Sequence, residues 1–338
     1  MPPISVVIVN YNGCHLLKEC LDSLKEQTFA DFETIFVDNA SSDGSVEFVE
    51  AAYPEVKILK NKKNLGYGGG NNAGIKASRG RYLVLLNNDT KVDPHWLEQL
   101  VGTAEKETQT GMCASKILNY YKPEVIDNTG LLMYKDGIAR GRGRLEKDIG
   151  QYNSEEEVFF PSGCAGLYKR EMLDEIGLLD EDFFLYVEDV DIGLRGRLAG
   201  WRCVYVPGAV VYHKYSATTE PYSPLKAYLV ERNRIWVVIK CFPLRMVLLS
   251  FFYTLLRYFF QGYGALTGKG ASGRLMKSHS ALGAVAILGR AYLAAVKGFG
   301  KTMQKRRGIM SARKVSKREF SAWFSRFGIS AREVSLKE

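Results

Sequence analysis

The sequence predicts an α/β fold built on a mostly parallel sheet, and three features of the first hundred residues predict it. Short apolar runs rich in β-branched residues recur along this part of the chain. Segments with apolar residues at helical spacing lie between these runs. The runs contain few polar residues, which is typical of parallel strands that crossover helices bury on both faces.

The elements of this first part follow in order. Four strands are predicted, at Ile4–Val9, Thr34–Val37, Val56–Leu59 and Tyr82–Leu86. Two helices are predicted from the apolar stripes at Leu16–Leu24 and Val46–Ala52. A third helix is expected from about Asn71 to Gly80, because glycine suits a left-handed C-cap. A fourth is expected to open at Asp93 and Pro94, which suit an N-cap and the first helical position.

The remainder of the chain is less regular. Further strands are predicted at Met112–Leu118 and Cys203–Val206, and a helix at Asp189–Ala199 that ends at Gly200. Long apolar stretches follow at Ile235–Ile239, Met246–Leu256 and Ala281–Val296. We therefore predict a first domain over residues 1–232, an apolar helical region over 233–300 and a basic tail over 301–338.

Composition excludes several classes of protein. With 46% hydrophobic and 25% charged residues in 338, wholesale disorder and a polytopic membrane protein are not expected. The six cysteines form no C-x-x-C pair, which argues against a zinc ribbon and a disulfide scaffold and favours a reducing, cytoplasmic setting. Residues 269–338 hold 16 Lys and Arg but 3 Asp and Glu, so the tail is expected to meet something anionic.

Polar loops follow all four predicted strands of the first part. They are Asn10–Gly13, Asp38–Asp43, Asn64–Asn72 and Asn87–Asp89. Ligands of open parallel sheets bind beyond the carboxyl ends of the strands, where loops and helix N-termini present free backbone donors. The four loops together therefore predict a binding site at one edge of the sheet.

Individual residues in these loops allow more than one interpretation. Asp38 suits an acceptor for a pyrimidine imide N–H, or else an Asx-turn or the N-cap of the following helix. The glycines of Gly66–Gly70 permit either positive φ or the close approach of a ligand. Gly68–Ala73 also fits the dinucleotide pattern G-x-G-x-x-A, although Asn61–Asn64 separates it from the preceding strand.

Three further groups could bind a metal ion or a phosphate. Asp89 supplies the hard oxygen that Mg²⁺ and Mn²⁺ prefer, or lies in a solvated turn. His213 ends a strand-like run and is either structural or a second metal ligand. The alternating arginines of Arg140–Arg144 could grip a phosphate or belong to a solvated loop.

The densest group of acids surrounds a predicted helix start. Glu188 and Asp189 open this helix after an apolar run. Burial beside other carboxylates raises the pKa of such a group, while the helix N-terminus favours its ionised form. Asp189 is therefore a candidate general base, or else a helix cap whose charge Arg195 screens.

As a set, seven segments resemble family 2 glycosyltransferases, and in particular the bacterial rhamnosyltransferase-like branch that builds cell-surface polysaccharides. The segments are Val6–Gly13, Val37–Ser45, Asn64–Ile75, Leu85–Thr90, Ser162–Glu171, Phe183–Arg195 and Ala199–His213. The resemblance covers about residues 4–236. It implies that the first domain has a GT-A fold, that the donor is a UDP- or dTDP-linked sugar, that Mn²⁺ or Mg²⁺ is the cofactor, and that the anomeric centre is inverted.

The resemblance also implies roles for particular residues. Donor-binding roles fall on Asn10, Asp38, Asn64, Gly66, Gly69, Asn71, Asn88 and Asp89, with Asp38 contacting the base and Asn10 beside the nucleoside. Asp89 and His213 would hold the metal. Asp189 would be the catalytic base, held by Glu188 and Asp191, and Ser162 and Gly163 would line the acceptor side. Asn87 stands where the family has the first acid of its metal motif, so we expect looser metal binding.

Arginines interrupt the apolar stretches of the last third. Arg245, Arg257 and Arg290 would be costly at a bilayer centre, so we expect these helices to lie in the membrane interface at the cytoplasmic face of the inner membrane. The basic tail would then bind anionic lipid, and the acceptor would be a glycan or a polyprenyl-diphosphate-linked glycan. A homodimer face is an alternative, and nucleic acid is not an expected partner. The alternative functions are an NAD(P)-dependent oxidoreductase and a non-catalytic sugar-nucleotide-binding protein.

Overall fold

The computed structural model describes residues 3–215, 223–276 and 280–337. Its strands are β1 (Ile4–Asn10), β2 (Phe32–Asp38), β3 (Lys57–Lys60), β4 (Tyr82–Asn87), β5 (Thr90–Val92), β6 (Thr110–Asn119), β7 (Lys122–Asn128), β8 (Leu131–Met133), β9 (Ala139–Gly141), β10 (Glu156–Val158), β11 (Ala165–Lys169) and β12 (Arg202–His213). Its helices are α1 (Cys14–Lys25), α2 (Ser45–Ala52), α3 (Gly66–Ala77), α4 (Trp96–Lys106), α5 (Arg170–Ile176), α6 (Glu188–Leu198), α7 (Pro224–Cys241), α8 (Leu244–Thr267), α9 (Gly270–Leu275), α10 (Ala281–Lys297), α11 (Phe299–Ser311), α12 (Lys317–Arg326) and α13 (Ala331–Leu336).

One large mixed sheet organises the first part of the chain. Its strand order is β10-β12-β6-β11-β4-β1-β2-β3, with β5 beside β12 and β7 beside β6. The strands β1 to β4 pair in parallel, and so do β6 and β12. Between these two groups β11 runs antiparallel to both β4 and β6. The predicted α/β class with its parallel strands is confirmed, and the antiparallel β11 joins the two parallel groups into one sheet.

The central strands are apolar because helices cover both faces of the sheet. Val6, Val7 and Ile8 of β1 are fully buried. Leu17 of α1 and Trp96 of α4 belong to the same hydrophobic core as the strands. This burial is the main favourable term that fixes the strand ends, and so the loops that follow them, at one edge.

The third helix differs from its prediction. It begins at Gly66 and includes the run of glycines that was expected to be a loop. A Cβ atom at Gly74 would lie 2.3 Å from Val7 Cγ1, so this glycine lets the helix lie directly on β1. The predicted left-handed cap at Gly80 is wrong, because α3 ends at Ala77 and φ of Gly80 is not positive. Gly80 is small for another reason, since a Cβ there would lie 2.5 Å from Ser5 N.

Other boundaries shift by a few residues. Helix α4 begins at Trp96, two residues beyond Pro94, because the Asp93 carboxylate accepts a hydrogen bond from His95 N at 3.0 Å and forms a turn first. Helix α6 agrees closely with its prediction, and Gly200 has φ of +90°. The runs around Cys203–Val206 and Val210–His213 join into the single strand β12 through a register shift.

The described chain separates into two compact units. The first comprises Met1–Leu131, Gly141–Gly196 and Trp201–Thr218, and it contains the large sheet. The second comprises Leu132–Arg140, Arg197–Gly200 and Thr219–Glu338, and it contains the helices α7 to α13. The boundary predicted at residue 232 falls inside α7, and the division into functional regions at 232 and 300 stays a prediction.

Close packing of one glycine on α6 yields a stability test. A Cβ at Gly193 would lie 2.4 Å from the Cβ of Phe160, so α6 can pack this closely on Phe160 only with glycine there. We expect Gly193→Ala to lower the free energy of unfolding by about 1–3 kcal/mol through overpacking, although alanine favours helix. Urea unfolding followed by circular dichroism measures this change.

The matched control is Gly102→Ala in α4, where a Cβ would meet no atom within 4 Å. There the same substitution should raise the free energy of unfolding by about 0.5–1 kcal/mol, since glycine is unfavourable in a helix interior. Equal effects of the two substitutions would contradict the packing argument.

Candidate active site

Polar side chains from three loops interlock at the carboxyl edge of the parallel strands. Asn10 and Asp38 lie opposite each other at the ends of β1 and β2. Asn88 Nδ2 donates a hydrogen bond to Asn10 Oδ1 at 2.7 Å, which ties the loop after β4 to the end of β1. Gly13 is needed beside this pair, because a Cβ there would lie 2.5 Å from Asn88 Nδ2. The edge therefore holds a rigid polar floor.

The two oxygens of the Asp38 carboxylate have different surroundings, and neither caps α2, whose N-cap residue is Gly44. Oδ2 accepts a hydrogen bond from Ser41 N at 2.9 Å and so forms a local turn. Oδ1 is buried and has no hydrogen-bond partner among the described residues. A buried acceptor without a partner is costly. It is therefore available for a donor such as an imide N–H.

The N-terminal half of α3 has structural contacts that explain much of its sequence. Asn64 Oδ1 accepts from Gly66 N at 2.8 Å, and Asn71 Nδ2 donates to Tyr67 O at 3.0 Å within the helix. Gly66 has φ of +71°, and a Cβ at Gly69 would lie 2.7 Å from Leu65 Cβ. Donor-binding roles for these four residues stay predictions. The dinucleotide match at residues 68–73 lies inside the helix, so its glycines do not form a phosphate-binding turn.

Pairing between β5 and β12 brings Asp89 and His213 together. His213 lies opposite Thr90 in this antiparallel pair. His213 Nε2 is 3.4 Å from Asp89 Oδ1, and that oxygen is buried without a well-formed hydrogen bond among the described residues. Both side chains are buried, with Asp89 4% and His213 8% exposed. The pair thus presents a carboxylate oxygen and an imidazole nitrogen toward each other.

A third residue, Asp127 on β7, fixes the imidazole from the other side. Asp127 Oδ2 lies 2.7 Å from His213 Nδ1, and Arg144 forms an ion pair with Asp127. Burial alone would lower the pKa of His213, but Cys164, Asp127 and Asp89 raise it well above its ordinary value. Arg142 likewise forms an ion pair with Glu156 at 2.6 Å. These two of the arginines considered for phosphate binding therefore pair with carboxylates in this structure.

Asp189 is held at the start of α6 by two backbone donors. Its Oδ2 accepts from Gly163 N at 3.0 Å, and its Oδ1 accepts from Val190 N at 2.8 Å. Tyr67 OH of α3 donates to Gly163 O. Ser162 Oγ accepts from Cys164 N at 3.3 Å. The loop 162–164 is therefore fixed against Asp189 on one side.

The same loop is fixed against the Asp89 segment on its other side. Asn87 N donates to Cys164 O at 2.9 Å, and the Cys164 thiol interacts with His213. Two consecutive residues, Gly163 and Cys164, therefore make the contacts with Asp189 on one side and with Asn87 and His213 on the other. The structure gathers Asp89, His213 and Asp189 around one short loop, and their shared service of one ligand stays a prediction.

Electrostatics distinguish the three acids of α6. Burial and the neighbouring charges of Asp189 and Asp191 raise the pKa of Glu188 to about 8, so Glu188 is largely protonated at neutral pH. Burial also raises the pKa of Asp189, while the backbone donors at Gly163 and Val190 lower it. Asp191 accepts from Arg195 Nε at 2.9 Å. A neutral Glu188 leaves Asp189 as the carboxylate that can accept a proton at the loop.

Strained backbone precedes these acids. Phe184, Tyr186 and Val187 have φ of +63°, +69° and +73°, a region that side-chain-bearing residues seldom adopt and that is least suited to β-branched valine. Phe184 O accepts from Tyr67 N at 2.7 Å, which helps to hold the segment in place. Each such residue costs about 1–3 kcal/mol and persists where its surroundings over-determine it. This segment leads directly into the start of α6, where Asp189 accepts a hydrogen bond from Gly163 N of the loop 162–164.

Sequence reasoning missed three residues of this arrangement: Asp127, Tyr67 and Cys164. Asp127 lies 86 positions from its partner His213, and no motif spacing links the two. Tyr67 and Cys164 lie inside recognised motifs, but their contacts depend on how α3 and β11 meet. The alternation of residues along β7 could have indicated that Asp127 is buried, but only if the pairing of β7 with its neighbouring strand had been known.

The raised pKa of Glu188 predicts a pH-dependent stability. The folded protein binds this proton more tightly than the unfolded chain, with a pKa of about 8 against 4.5. The free energy of unfolding should therefore fall as pH rises through this window. Glu188→Gln keeps the neutral form and should exceed wild type in the free energy of unfolding by at least about 1 kcal/mol near pH 9 but not near pH 4.

Urea unfolding of both proteins at the two pH values measures the difference. The control is Glu171→Gln, which changes an exposed carboxylate on α5. A constant difference between Glu188→Gln and wild type at both pH values would show that Glu188 is not protonated in the folded protein.

Known proteins resemble this chain in sequence. The model of the family described as "Glycosyl transferase family 2" matches residues 5–177. N-acetylglucosaminyl-diphospho-decaprenol L-rhamnosyltransferase of Mycobacterium tuberculosis is 28% identical over 272 residues, which are 69% of this chain and 86% of that protein. An uncharacterised Sinorhizobium fredii protein is 29% identical over 236 residues, covering 64% of this chain and 25% of its own length, so the chain spans about a quarter of that relative.

Solved structures share the fold. A mannosyltransferase from Pyrobaculum calidifontis, in complex with GDP-Man and Mn²⁺, superposes with a TM-score of 0.54 at 16% identity and covers 92% of this chain and 86% of its own. This likeness extends the match in fold beyond the residues of the family model. The sheet is that of GT-A glycosyltransferases. The family model matches half of the chain, and this shows that the chain belongs to glycosyl transferase family 2.

Proposed function

We propose that this glycosyltransferase moves a sugar from a nucleotide-diphosphate donor to a hydroxyl group of a lipid-linked glycan, with inversion at the anomeric carbon. The observation that carries the proposal is the loop 162–164. It contacts Asp189 through Gly163 and the Asp89 segment through Cys164. A sugar bound at this loop would have a proton acceptor on one side and the Asp89 and His213 pair on the other.

Asp189 is the proposed general base. In an in-line displacement the acceptor oxygen forms a bond to the anomeric carbon while the bond from that carbon to the diphosphate oxygen breaks. Asp189 takes the hydroxyl proton, and the nucleoside diphosphate leaves with the bonding electron pair. The backbone donors at Gly163 and Val190 hold the carboxylate in place, and general base catalysis of this kind contributes about 10²–10⁴-fold to the rate.

The residues at the sheet edge fit a divalent cation. Asp89 Oδ1 is buried without a well-formed hydrogen bond, and His213 Nε2 faces it. No group of three or more His, Cys, Asp or Glu suited to a metal occurs among the described residues, so the donor's diphosphate and water would supply the other ligands. Mn²⁺ or Mg²⁺ bound there would offset the charge that develops on the departing diphosphate. With Asn87 in place of an acid, we propose modest affinity for the free ion.

The donor and the acceptor follow from residues and relatives together. Asp38 Oδ1 is proposed to accept from the imide of uracil or thymine, beside Asn10. The mycobacterial relative is named for rhamnose transfer to a decaprenyl-diphosphate-linked sugar, which supports rhamnose and a polyprenyl-diphosphate-linked acceptor here. Such an acceptor meets nucleotide sugars at the cytoplasmic face of the membrane, and we propose that site of action.

The role of Asp189 is tested by Asp189→Asn. Because the amide keeps the shape but not the basicity, we expect transfer to fall at least about a hundredfold while donor affinity stays within a few-fold of wild type. Transfer from dTDP-rhamnose to a synthetic polyprenyl-diphosphate-linked N-acetylglucosamine gives the rate, and calorimetric titration gives the donor affinity. Asp174→Asn on the exposed face of α5 is the control and should match wild type. Near-normal turnover of Asp189→Asn would remove Asp189 from this role.

The position of Asp127 predicts its effect on metal binding. A metal ion at Nε2 would displace the proton that His213 carries there, while the Asp127 carboxylate on Nδ1 holds the ring in place; removing such a partner typically weakens metal affinity about 10–100-fold. We expect that loss for Asp127→Ala and a smaller loss for Asp127→Asn, which can still accept from Nδ1–H. Electron paramagnetic resonance titration with Mn²⁺ and a nucleoside diphosphate measures affinity without turnover. Equal Mn²⁺ affinity of all three proteins would contradict the arrangement.

A further inference from the structure

Helix α8 in the second unit buries polar side chains and exposes large apolar ones. The side chains it buries include Ser250, Thr254 and Arg257. Its outer face carries large apolar side chains at helical spacing that are between 49% and 89% exposed, namely Leu248, Phe251, Phe252, Leu255, Phe259 and Leu266. A helix that contacts water on its outer face normally has the opposite arrangement. We call these six residues the α8 stripe.

The buried face of α8 is fixed by ion pairs within the same unit. Arg257 Nε lies 2.6 Å from Asp136 Oδ2, and Arg257 Nη2 lies 3.0 Å from Glu231 Oε2. Burial would raise the pKa of Glu231, but Arg234 and Arg257 lower it to about 2, so this network stays charged. Rotating α8 to bury its stripe would break the ion pairs of Arg257 with Asp136 and Glu231. Buried charges that lose their partners are strongly destabilising. These ion pairs therefore keep the α8 stripe on the outer face of the helix.

The C-terminal end of the stripe borders a cavity of about 790 Å³. The rings of Phe259, Phe260 and Tyr263 form part of its wall, together with the cations of Lys269, Arg332 and Lys337. Glu333 also lines it, but its carboxylate accepts from Ser330 Oγ at 2.7 Å in a helix cap. Aromatic rings beside three cations suit a ligand with an apolar part and a phosphate.

Charge in this region is of one sign. Residues 232–318 contain 18 Lys and Arg and no Asp or Glu. Arg234, Lys240 and Arg257 are buried, whereas others, among them Arg245, Lys269 and Arg290, are exposed. A surface of that kind attracts anionic lipid, at about 1 kcal/mol for each Lys or Arg near the headgroups. It also repels a second copy of itself, which disfavours a homodimer formed through the same face.

Length and composition favour contact with a bilayer surface over a crossing by α8. Among the described residues no single helix is long and apolar enough to span, although the bent pair Leu282–Lys297 and Phe299–Ser311 meets those criteria together at an angle of 60°. An amphipathic helix that lies in the interface buries its apolar face among the acyl chains and keeps its polar face toward the protein or water. The α8 stripe has this form.

We propose that the α8 stripe and its adjoining cavity form a binding site for anionic phospholipid in a bilayer. The stripe enters the acyl region, and the lipid phosphate binds among Lys269, Arg332 and Lys337 beside the ring of Tyr263. Every residue of this site belongs to the second unit, and none belongs to the proposed catalytic group.

Vesicle flotation of the full chain tests the proposal. Two vesicle types are used, phosphatidylcholine alone and phosphatidylcholine with about a third phosphatidylglycerol. We expect binding to the second type, and roughly 20-fold weaker binding to it for the Lys269→Gln, Arg332→Gln double variant, since two headgroup contacts are lost. The matched control is Lys122→Gln with Lys147→Gln, which removes the same charge from exposed positions of the first unit and should bind as wild type.

The apolar part is tested separately. Leu248→Ser with Phe252→Ser should weaken binding to phosphatidylglycerol vesicles about tenfold or more, because two large side chains no longer enter the acyl region. Its control, Tyr121→Ser with Ile149→Ser, removes side chains of the first unit that are 70% and 78% exposed and should bind normally. Thermal melting of every variant checks that it is folded.

Five outcomes overturn the proposal. Wild type fails to float with either vesicle type, or it floats equally well with both. The double cation variant binds like its control. Inorganic phosphate displaces the protein from labelled phosphatidylglycerol vesicles as effectively as unlabelled vesicles do, which would make the cavity a site for the free ion. Sedimentation shows a dimer that Leu248→Ser with Phe252→Ser dissociates while vesicle binding is unchanged, which would make the stripe a contact between copies.

Discussion

The antiparallel insertion of β11 between β4 and β6 is the constraint on which the site depends. Its pairing with β4 sets Ala165 opposite Leu86, so the loop that precedes β11 lies at the same edge where β4 ends. Asn87 N then reaches Cys164 O, and Gly163 reaches Asp189. A slip of one residue in this register would turn every side chain of β11 to the other face and separate the loop from both acids.

The site stores unfavourable free energy that the surrounding core offsets. Glu188 is buried beside Asp189, and three residues before it have positive φ. Neither feature helps the chain to fold, and both are held in place by contacts from α3, through Tyr67 and Gly66, and by the close approach of α6 at Gly193. Groups with raised pKa values in such a setting are typical of catalytic sites, where a proton must move near neutral pH.

In the second unit, buried charges determine the orientation of a helix. Its interior holds a charged network of Asp136, Glu231, Arg234 and Arg257, while large apolar side chains of α8 lie outside. Buried ion pairs contribute little net stability, but they specify one orientation because an unpaired buried charge costs several kcal/mol. The network therefore determines which face of α8 is presented to the surroundings.

The sequence by itself determined the α/β class, the four parallel strands and the polar ends that follow them, since periodicity and strand-end composition are local properties. Motif resemblance also predicted that Asp89, His213 and Asp189 serve one site, and the structure places all three around the loop 162–164. Only the tertiary structure decided that Asp127 holds His213 from 86 positions away, that Gly74 serves helix packing on Val7, and that the apolar side of α8 faces outward. Local patterns state which residues share a face or a loop, but contacts between distant segments decide what covers that face, because burial is a property of the folded chain as a whole.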